Sequence, residues 1–257
     1  MEKEFHNHMR IPWHDYTRKS LGHPITEASL SEKASIIGRT GIMLLSCGTG
    51  AWRVRSSMNT LARELGITCT ADIGLLSIEY TCIDGGDCYT ESLCLFNTGV
   101  NTSKLYRMEL FVNKFATNCK KMSGDELHTL LDQIHEIHGF YSPPFLGLAA
   151  AVACCAFTFL LGGGPTEMFC AFLGAGAGNY LRAKMNQHHL TLFLCTAASV
   201  ALACVVYTIS FMALKSGFDV SIHHQAGYIC SMLFIIPGFP FITSGIDLAK
   251  LDMRSGL

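Results

Sequence analysis

Apolar residues recur at three- and four-residue steps through the first half of the chain and fuse into long runs in the second. From Ser31, SEKASIIGRTGIMLLSCG reads as a helix with Ser31 as its N-cap. A second helix over Trp52–Leu65 puts Val54, Met58, Leu61 and Leu65 on one face, and Gly66 stops it. Then comes strand-like sequence: ADIGLLSIEYTCI, DGGD and CYTESLCLF predict a hairpin turning at Gly85-Gly86. After Asn101, LYRMELFVNKFATNC and GDELHTLLDQIHEI return to helical spacing. Residues 31–143 thus predict a small α+β domain with helices packed on a short sheet. Residues 1–30, polar and holding Pro12, Gly22 and Pro24, predict a flexible N-terminal arm.

Four apolar runs follow, near 144–161, 168–181, 190–214 and 226–246. At about 1.5 Å per residue the first, third and fourth reach roughly 27–37 Å, the thickness of a hydrocarbon core. The second is shorter, with Arg182 and Lys184 placed to snorkel at its end. Within it FLGAGAGNYL sets Gly174 and Gly178 four apart, a small-residue face that admits another helix. The predicted fold is an α-helical membrane protein, with about four transmembrane helices over 144–257 and an N-terminal α+β soluble domain.

Charge sharpens that division. Residues 1–143 hold 14 of the 19 Lys and Arg and 16 of the 20 Asp and Glu, leaving nine charges for the rest. Such sparseness is foreign to a soluble domain. A net charge of −1 with no basic excess argues against nucleic acid as a partner. The start, MEKEFHNHMRIPWHDY, lacks the apolar core of a signal peptide. Lys and Arg are absent from the loop GGGPTE but present in RAKMNQHH, KSGFDVSIHHQ and the tail, which places the N-terminal domain in the cytoplasm. Twelve cysteines without a CxxC pair read as reduced thiols, Cys82, Cys88 and Cys94 among them. His128 and His135 share a helix face, but without further ligands at fixed spacing the histidines read as solvated. No metal or cofactor is expected.

The candidate chemistry lies in FIIPGFPFITSGID, residues 234–247. Two prolines interrupt an apolar run, and each costs roughly 3 kcal/mol in a helix interior. Gly238 between them permits an unwound backbone, which inside a membrane must be buried in protein or line a wet cavity. Discontinuous helices with polar groups behind the break form substrate or ion sites in secondary transporters. The predicted pathway residues are Pro237, Gly238, Pro240, Thr243, Ser244 and Asp247. Thr243 and Ser244 offer hydrogen bonds, and Asp247 offers a proton site or an ammonium partner. Secondary candidates are Gly163, Gly164 and Glu167 of the glycine turn, and Asn179. A proline kink that only shapes packing is the plain alternative.

Two further functional classes stand beside a transporter. A membrane-anchored enzyme would draw on Ser46, Cys47, His128, Asp84 and Asp87, without any nucleophile elbow, zinc motif or phosphate loop. A regulatory or structural subunit would sense metabolite with the soluble domain. No GxxxxGK[ST] occurs, which argues against direct ATP drive.

Three stretches carry a family resemblance: RTGIMLLSCGTGAWRVRSSMNTLARELGI, MSGDELHTLLDQI and SMLFIIPGFPFITSGIDL. Together they resemble the threonine/serine exporter family from about residue 34 onward, with the PGFP segment the most specific. The resemblance implies an inner-membrane exporter, and this chain looks like the larger, YjjP-like subunit of the family's split form. That form works with a smaller, YjjB-like membrane partner and is associated with succinate, whereas the long single chains export threonine and serine. Two departures matter. RVR at 53–55 stands where the family often has an acid third. The sequence ends at MRSGL where members usually continue into a fifth membrane helix, so the expectation is a truncated chain or a partner covering the PGFP helix. Amino acid and dicarboxylate substrates are both left open by the residues.

Overall fold

The computed structural model describes residues 11–17, 22–95, 98–137, 141–188, 190–217, 225–236 and 238–256. The chain forms two compact units, residues 1–139 with 238–257, and residues 140–237.

The first unit is built around α1 (Leu30–Ser46), whose residues from Glu32 to Leu45 are buried on every side. Its N-cap is Ser29, which accepts the Glu32 amide, so the helix starts earlier than the Ser31 cap predicted. Both positions hold serine, and the one with extended backbone geometry takes the role. Helix α2 (Ala51–Glu64) buries Val54, Met58 and Leu61 and ends at Gly66, whose φ of +74° suits glycine.

Three antiparallel strands follow in the order β1 (Thr68–Ile73), β2 (Ser77–Asp84), β3 (Asp87–Cys94). The Gly85-Gly86 hairpin forms as expected, with both glycines at positive φ between paired Asp84 and Asp87. The stretch ADIGLLSIEYTCI is not one strand. Gly74 turns the chain, its amide donating to the Ser77 carbonyl, so Ile73 pairs with Ile78 and a third strand appears. Helix α3 (Thr102–Lys114) runs into a π-helical turn at Phe115–Cys119. Helix α4 (Gly124–His135) opens with a capping box between Ser123 and Glu126. One core joins these helices to the sheet, with Ile37, Leu44, Met58, Ile78, Tyr80, Phe115 and Leu131 fully buried.

The described part of the segment read as a flexible arm is tied down. Ile25 is fully buried, and Trp13–Asp15 forms a turn whose His14 bridges Asp125 at 2.6 Å and Asp132 at 2.8 Å.

The second unit contains α5 (Pro143–Leu160), α6 (Pro165–Gln187), α7 (Leu192–Gly217), α8 (Gln225–Cys230) and a 3-10 turn at Leu233–Ile235. Helix α6 sits between its neighbours because glycine lets both approach. A Cβ on Gly174 would lie 2.8 Å from the Ala203 carbonyl, and one on Gly178 equally close to the Ser199 carbonyl. On the side toward α5, a Cβ on Gly147 would lie 3.0 Å from the Gly176 carbonyl. The small-residue face is therefore a packing face, as its spacing predicted.

Among the described residues two helices are long and apolar enough to cross a membrane: α5 at mean hydropathy 1.9, and Leu192–Lys215 of α7 at 2.2. Segments 225–235 and 238–249 make a third if they form one bent span. Helix α6, read as a short run over 168–181, extends further at both ends through Glu167 and Arg182.

The last helices, α9 (Gly238–Ala249) and α10 (Met253–Gly256), belong with the first unit. The sequence reading put these residues in the membrane domain. Their acids and Arg254 find polar partners in the first unit, which no apolar count reveals.

Candidate functional site

Helix α9 begins at Gly238, so Pro240 falls in its first turn, where a missing amide costs no intrahelical bond. Just upstream Ile236 is extended, the conformation imposed on a residue before proline. Pro237 lies outside the described residues. Pro240 thus belongs to a helix start rather than to a helix interior.

Behind the start, Pro240, Ser244 and Asp247 share one stripe at four- and three-residue steps, as predicted. The Thr243 hydroxyl donates to the carbonyls of Phe239 and Pro240, at 3.2 and 3.0 Å, within its own helix. Gly238 and Pro240 are exposed, Ser244 is half-buried, and Asp247 is only 3% exposed.

Asp247 reaches across the first unit to the start of α2. Its Oδ2 accepts the Ala51 amide at 3.0 Å and the Ser255 hydroxyl at 3.1 Å. Gly50 is the N-cap of α2 and has no side chain to supply an oxygen. The carboxylate of α9 therefore caps α2 from 196 residues away, with its charge at the positive end of the helix dipole. Oδ1 has no hydrogen-bond partner among the described residues, and it lies 2.7 Å from where a Cβ on Gly50 would sit. Only glycine at position 50 admits the carboxylate this closely.

The same corner is pinned twice more. Arg55 donates from Nη1 to both oxygens of Asp252, at 2.6 and 2.9 Å, and from Nε to the Ala71 carbonyl. Arg254 pairs with Asp72. Arg55 is the residue where an acid was expected from the family pattern, and here a cation meets Asp252, just beyond the end of α9. Lys250 stands 5.5 Å above the Trp52 ring. Trp52, Arg55, Lys250 and Asp252 border a cleft of about 410 Å³.

In the second unit, Glu167 is 9% exposed in the first turn of α6. Its Oε2 accepts the Gly164 amide at 2.8 Å, and Oε1 faces the Gly227 amide at 3.5 Å. Gly163 packs on the same corner, so three of the four secondary candidates come together. Asn179 does not join them. It lies about 18 Å further along the helix and donates to the Leu146 carbonyl at 2.8 Å. Near it, Arg182 donates from Nη1 to the Phe234 carbonyl at 3.2 Å, in the turn that precedes Pro237. The buried Nε of Arg182 has no partner among the described residues. Sequence reasoning treated Arg182 only as a snorkelling end, although its charge beside Asn179 was the available signal.

A polar network in the first unit was also missed. His128 is fully buried, not solvated: its ring meets Ser35 Oγ at 3.1 Å and Arg39 Nη1 at 3.2 Å. Arg39 also pairs with Asp132 and donates to the His128 carbonyl at 3.0 Å. Burial, with the Arg39 charge beside it, pushes the His128 pKa down to about 3. Hydrogen bonds to Asp125 and Asp132 hold the His14 pKa above its ordinary value. Burial works to raise Asp132, but His14 and Arg39 together outweigh it and leave it below the usual carboxylate range.

The residues of an enzymatic alternative do not assemble. Ser46 donates to its own helix at Met43, Cys47 is buried with its thiol pKa raised by burial, and His128 is held by Arg39 and Ser35. Cys82 pairs across the strands with Cys69, both free thiols, while Cys88 and Cys94 are exposed. Among the described residues no three His, Cys, Asp or Glu side chains gather as a metal site. His138, His189, His223 and His224 lie outside the described residues.

Residues 35–257 match the family model ThrE, described as "Putative threonine/serine exporter". The chain is 25% identical over 220 residues to "Probable succinate transporter subunit YjjP" of Escherichia coli K12, covering 84% of this chain and 82% of the relative. It is 24% identical over 220 residues to the protein of the same name in Klebsiella aerogenes, covering 84% and 81%. No solved structure matches. With most of its length matched, the chain belongs to the threonine/serine exporter family, a family of membrane exporters.

Proposed function

We propose that this chain is the larger subunit of a two-component exporter for a small carboxylate metabolite, working with a smaller YjjB-like membrane subunit. It sits in the inner membrane with its first unit in the cytoplasm, by the Lys and Arg bias of its loops. The substrate is succinate, the metabolite in the names of both relatives, with threonine and serine as the amino-acid alternative. The observation that supports a carboxylate is Arg182. It is a cation in an apolar unit, placed at the turn before the PGFP segment, with Nε and its planar fork suited to a carboxylate. Succinate, threonine and serine all carry that group.

Alternating access then involves the break at Pro237, Gly238 and Pro240. Ser244 contributes a hydrogen bond on the stripe, and Asp247 joins α9 to the first unit. A metabolite-sensing regulatory subunit is the second reading, favoured by the place of α9 within the first unit.

The test is succinate efflux by Arg182→Gln and Arg182→Lys in the presence of the partner. Charge-assisted hydrogen bonds of about 1.5–3 kcal/mol predict at least a tenfold loss with Gln and only partial rescue by Lys. Unchanged efflux with Gln would place the carboxylate elsewhere.

A further inference from the structure

Helix α9 ends in an arrangement that glycine ordinarily serves. The Asp252 amide donates to the Asp247 carbonyl at 2.9 Å and the Leu251 amide to the Leu248 carbonyl at 3.0 Å. This is a Schellman motif, and its left-handed position is Leu251, at φ +64°. Leucine there costs roughly 1–2 kcal/mol relative to ordinary backbone. Its side chain is 78% exposed, and Met253 beyond it is 51% exposed. The strain therefore serves no packing: it holds a bare leucine outward at a corner the chain fixes with Asp247 and Arg55.

The surroundings say what such a corner meets. Trp52, 37% exposed, carries Lys250 over its ring. Arg63 stands exposed one face along α2, and the cleft they share is also lined by Arg55, Asn59 and Asp252. Three cations against one acid leave the lining at +2. Along α9 the exposed side chains turn apolar: Ile246, Ile242 and Phe241. An apolar stripe, then a tryptophan and a lysine, then arginines is the order met on crossing from acyl chain to headgroup.

We propose that this corner of the first unit is a docking site for the phosphate of an anionic phospholipid. Lys250 and Arg63 face the headgroup, Trp52 lies at its level, and Leu251 enters the acyl boundary. The proposal rests on the chain being a membrane protein and is independent of which metabolite is exported.

The test uses full-length protein in bilayers with Trp13→Phe, so that Trp52 is the one remaining indole. Brominated phosphatidylglycerol and brominated phosphatidylcholine are compared as quenchers, together with native mass spectrometry of unaltered protein for retained lipid. The expected result is preferential quenching and retention of phosphatidylglycerol. At roughly fivefold per basic residue near a surface, discounted for screening, Lys250→Gln with Arg63→Gln lowers that preference about tenfold. Equal quenching by both lipids, or a preference that survives the double change, overturns the site. Loss of the preference on adding free succinate or inorganic phosphate would also overturn it, as a site for soluble anions. So would protection of Trp52 from both lipids by the co-purified partner subunit, which would make it a protein interface.

Discussion

Asp247 and Ala51, 196 residues apart, are joined by a 3.0 Å hydrogen bond from the Ala51 amide to the Asp247 carboxylate. Through it the acid of the PGFP helix becomes the N-cap of a helix in the first unit. This link makes α9 part of the first unit's architecture, and it ties the stripe of Pro240, Ser244 and Asp247 to α2.

Gly50 is the residue that permits the link. Gly50→Ala puts a methyl 2.7 Å from Asp247 Oδ1 and drives the carboxylate away. Asp247→Ala removes the cap outright, a loss of about 1–2 kcal/mol. Hydrogen–deuterium exchange at residues 51–54 is expected to speed up in both variants. Unchanged exchange in Asp247→Ala would mean the cap contributes nothing.

His14 predicts a pH dependence of the N-terminal turn. Its folded pKa is raised by Asp125 first and then Asp132, so the bridge is at full strength below about pH 6.5 and weakens as pH rises through the folded value. His128 runs the other way. Held neutral to about pH 3 against 6.5 unfolded, it costs stability progressively as pH falls through that window. Arg39, Asp125 and Asp132 face the pair, and of the two only His14 is linked to the turn by its charge. Protection factors at residues 13–17, corrected for intrinsic rates, are expected to fall as pH rises above about 6.5 through the raised folded value. His14→Gln is expected to flatten that decline. A profile that keeps its slope in the variant would assign it to another group.

In the second unit Gly178 has no room for a side chain. A Cβ there would lie 2.8 Å from both the Phe234 ring and the Ser199 carbonyl. Gly178→Val is expected to cost at least about 2 kcal/mol through overpacking, read as a lower thermal midpoint in detergent. Gly245→Ala, where nothing lies within 4 Å of a Cβ, is the control and is expected to be neutral or slightly stabilising. Equal midpoints for the two would show that α6 and α7 do not need this close approach.

Leu251→Gly is expected to stabilise the fold, by about 1 kcal/mol, because glycine takes the left-handed position without strain. Slower exchange at residues 247–252 would record the gain. Destabilisation instead would mean that the leucine side chain has a packing role in the fold.

Much of this architecture was legible in residue pattern. Gly85-Gly86 demands a tight hairpin, Gly174 and Gly178 demand a close helix, and both appear. Helix α2 and its stop at Gly66 follow from Val54, Met58 and Leu61. The third strand was hidden because Gly74 sits inside continuous strand-like sequence, where only the pairing of Ile73 with Ile78 reveals a turn. The stripe of Pro240, Ser244 and Asp247 was readable from helical spacing. Its attachment was not, since nothing in local sequence tells that an aspartate will cap a helix starting at a bare glycine far upstream. His128 was misread for a related reason: its partners Ser35 and Arg39 lie on a different helix, and a histidine's burial depends on them.

We propose that the chain exports a small carboxylate together with a second membrane subunit. The most direct measurement is efflux of labelled succinate, threonine and serine from preloaded cells, with this chain, with a small YjjB-like subunit, and with both. Efflux of succinate is expected only when both are present. Membrane-inserted pairs that export none of the three, or full efflux from the smaller subunit by itself, would contradict the proposal.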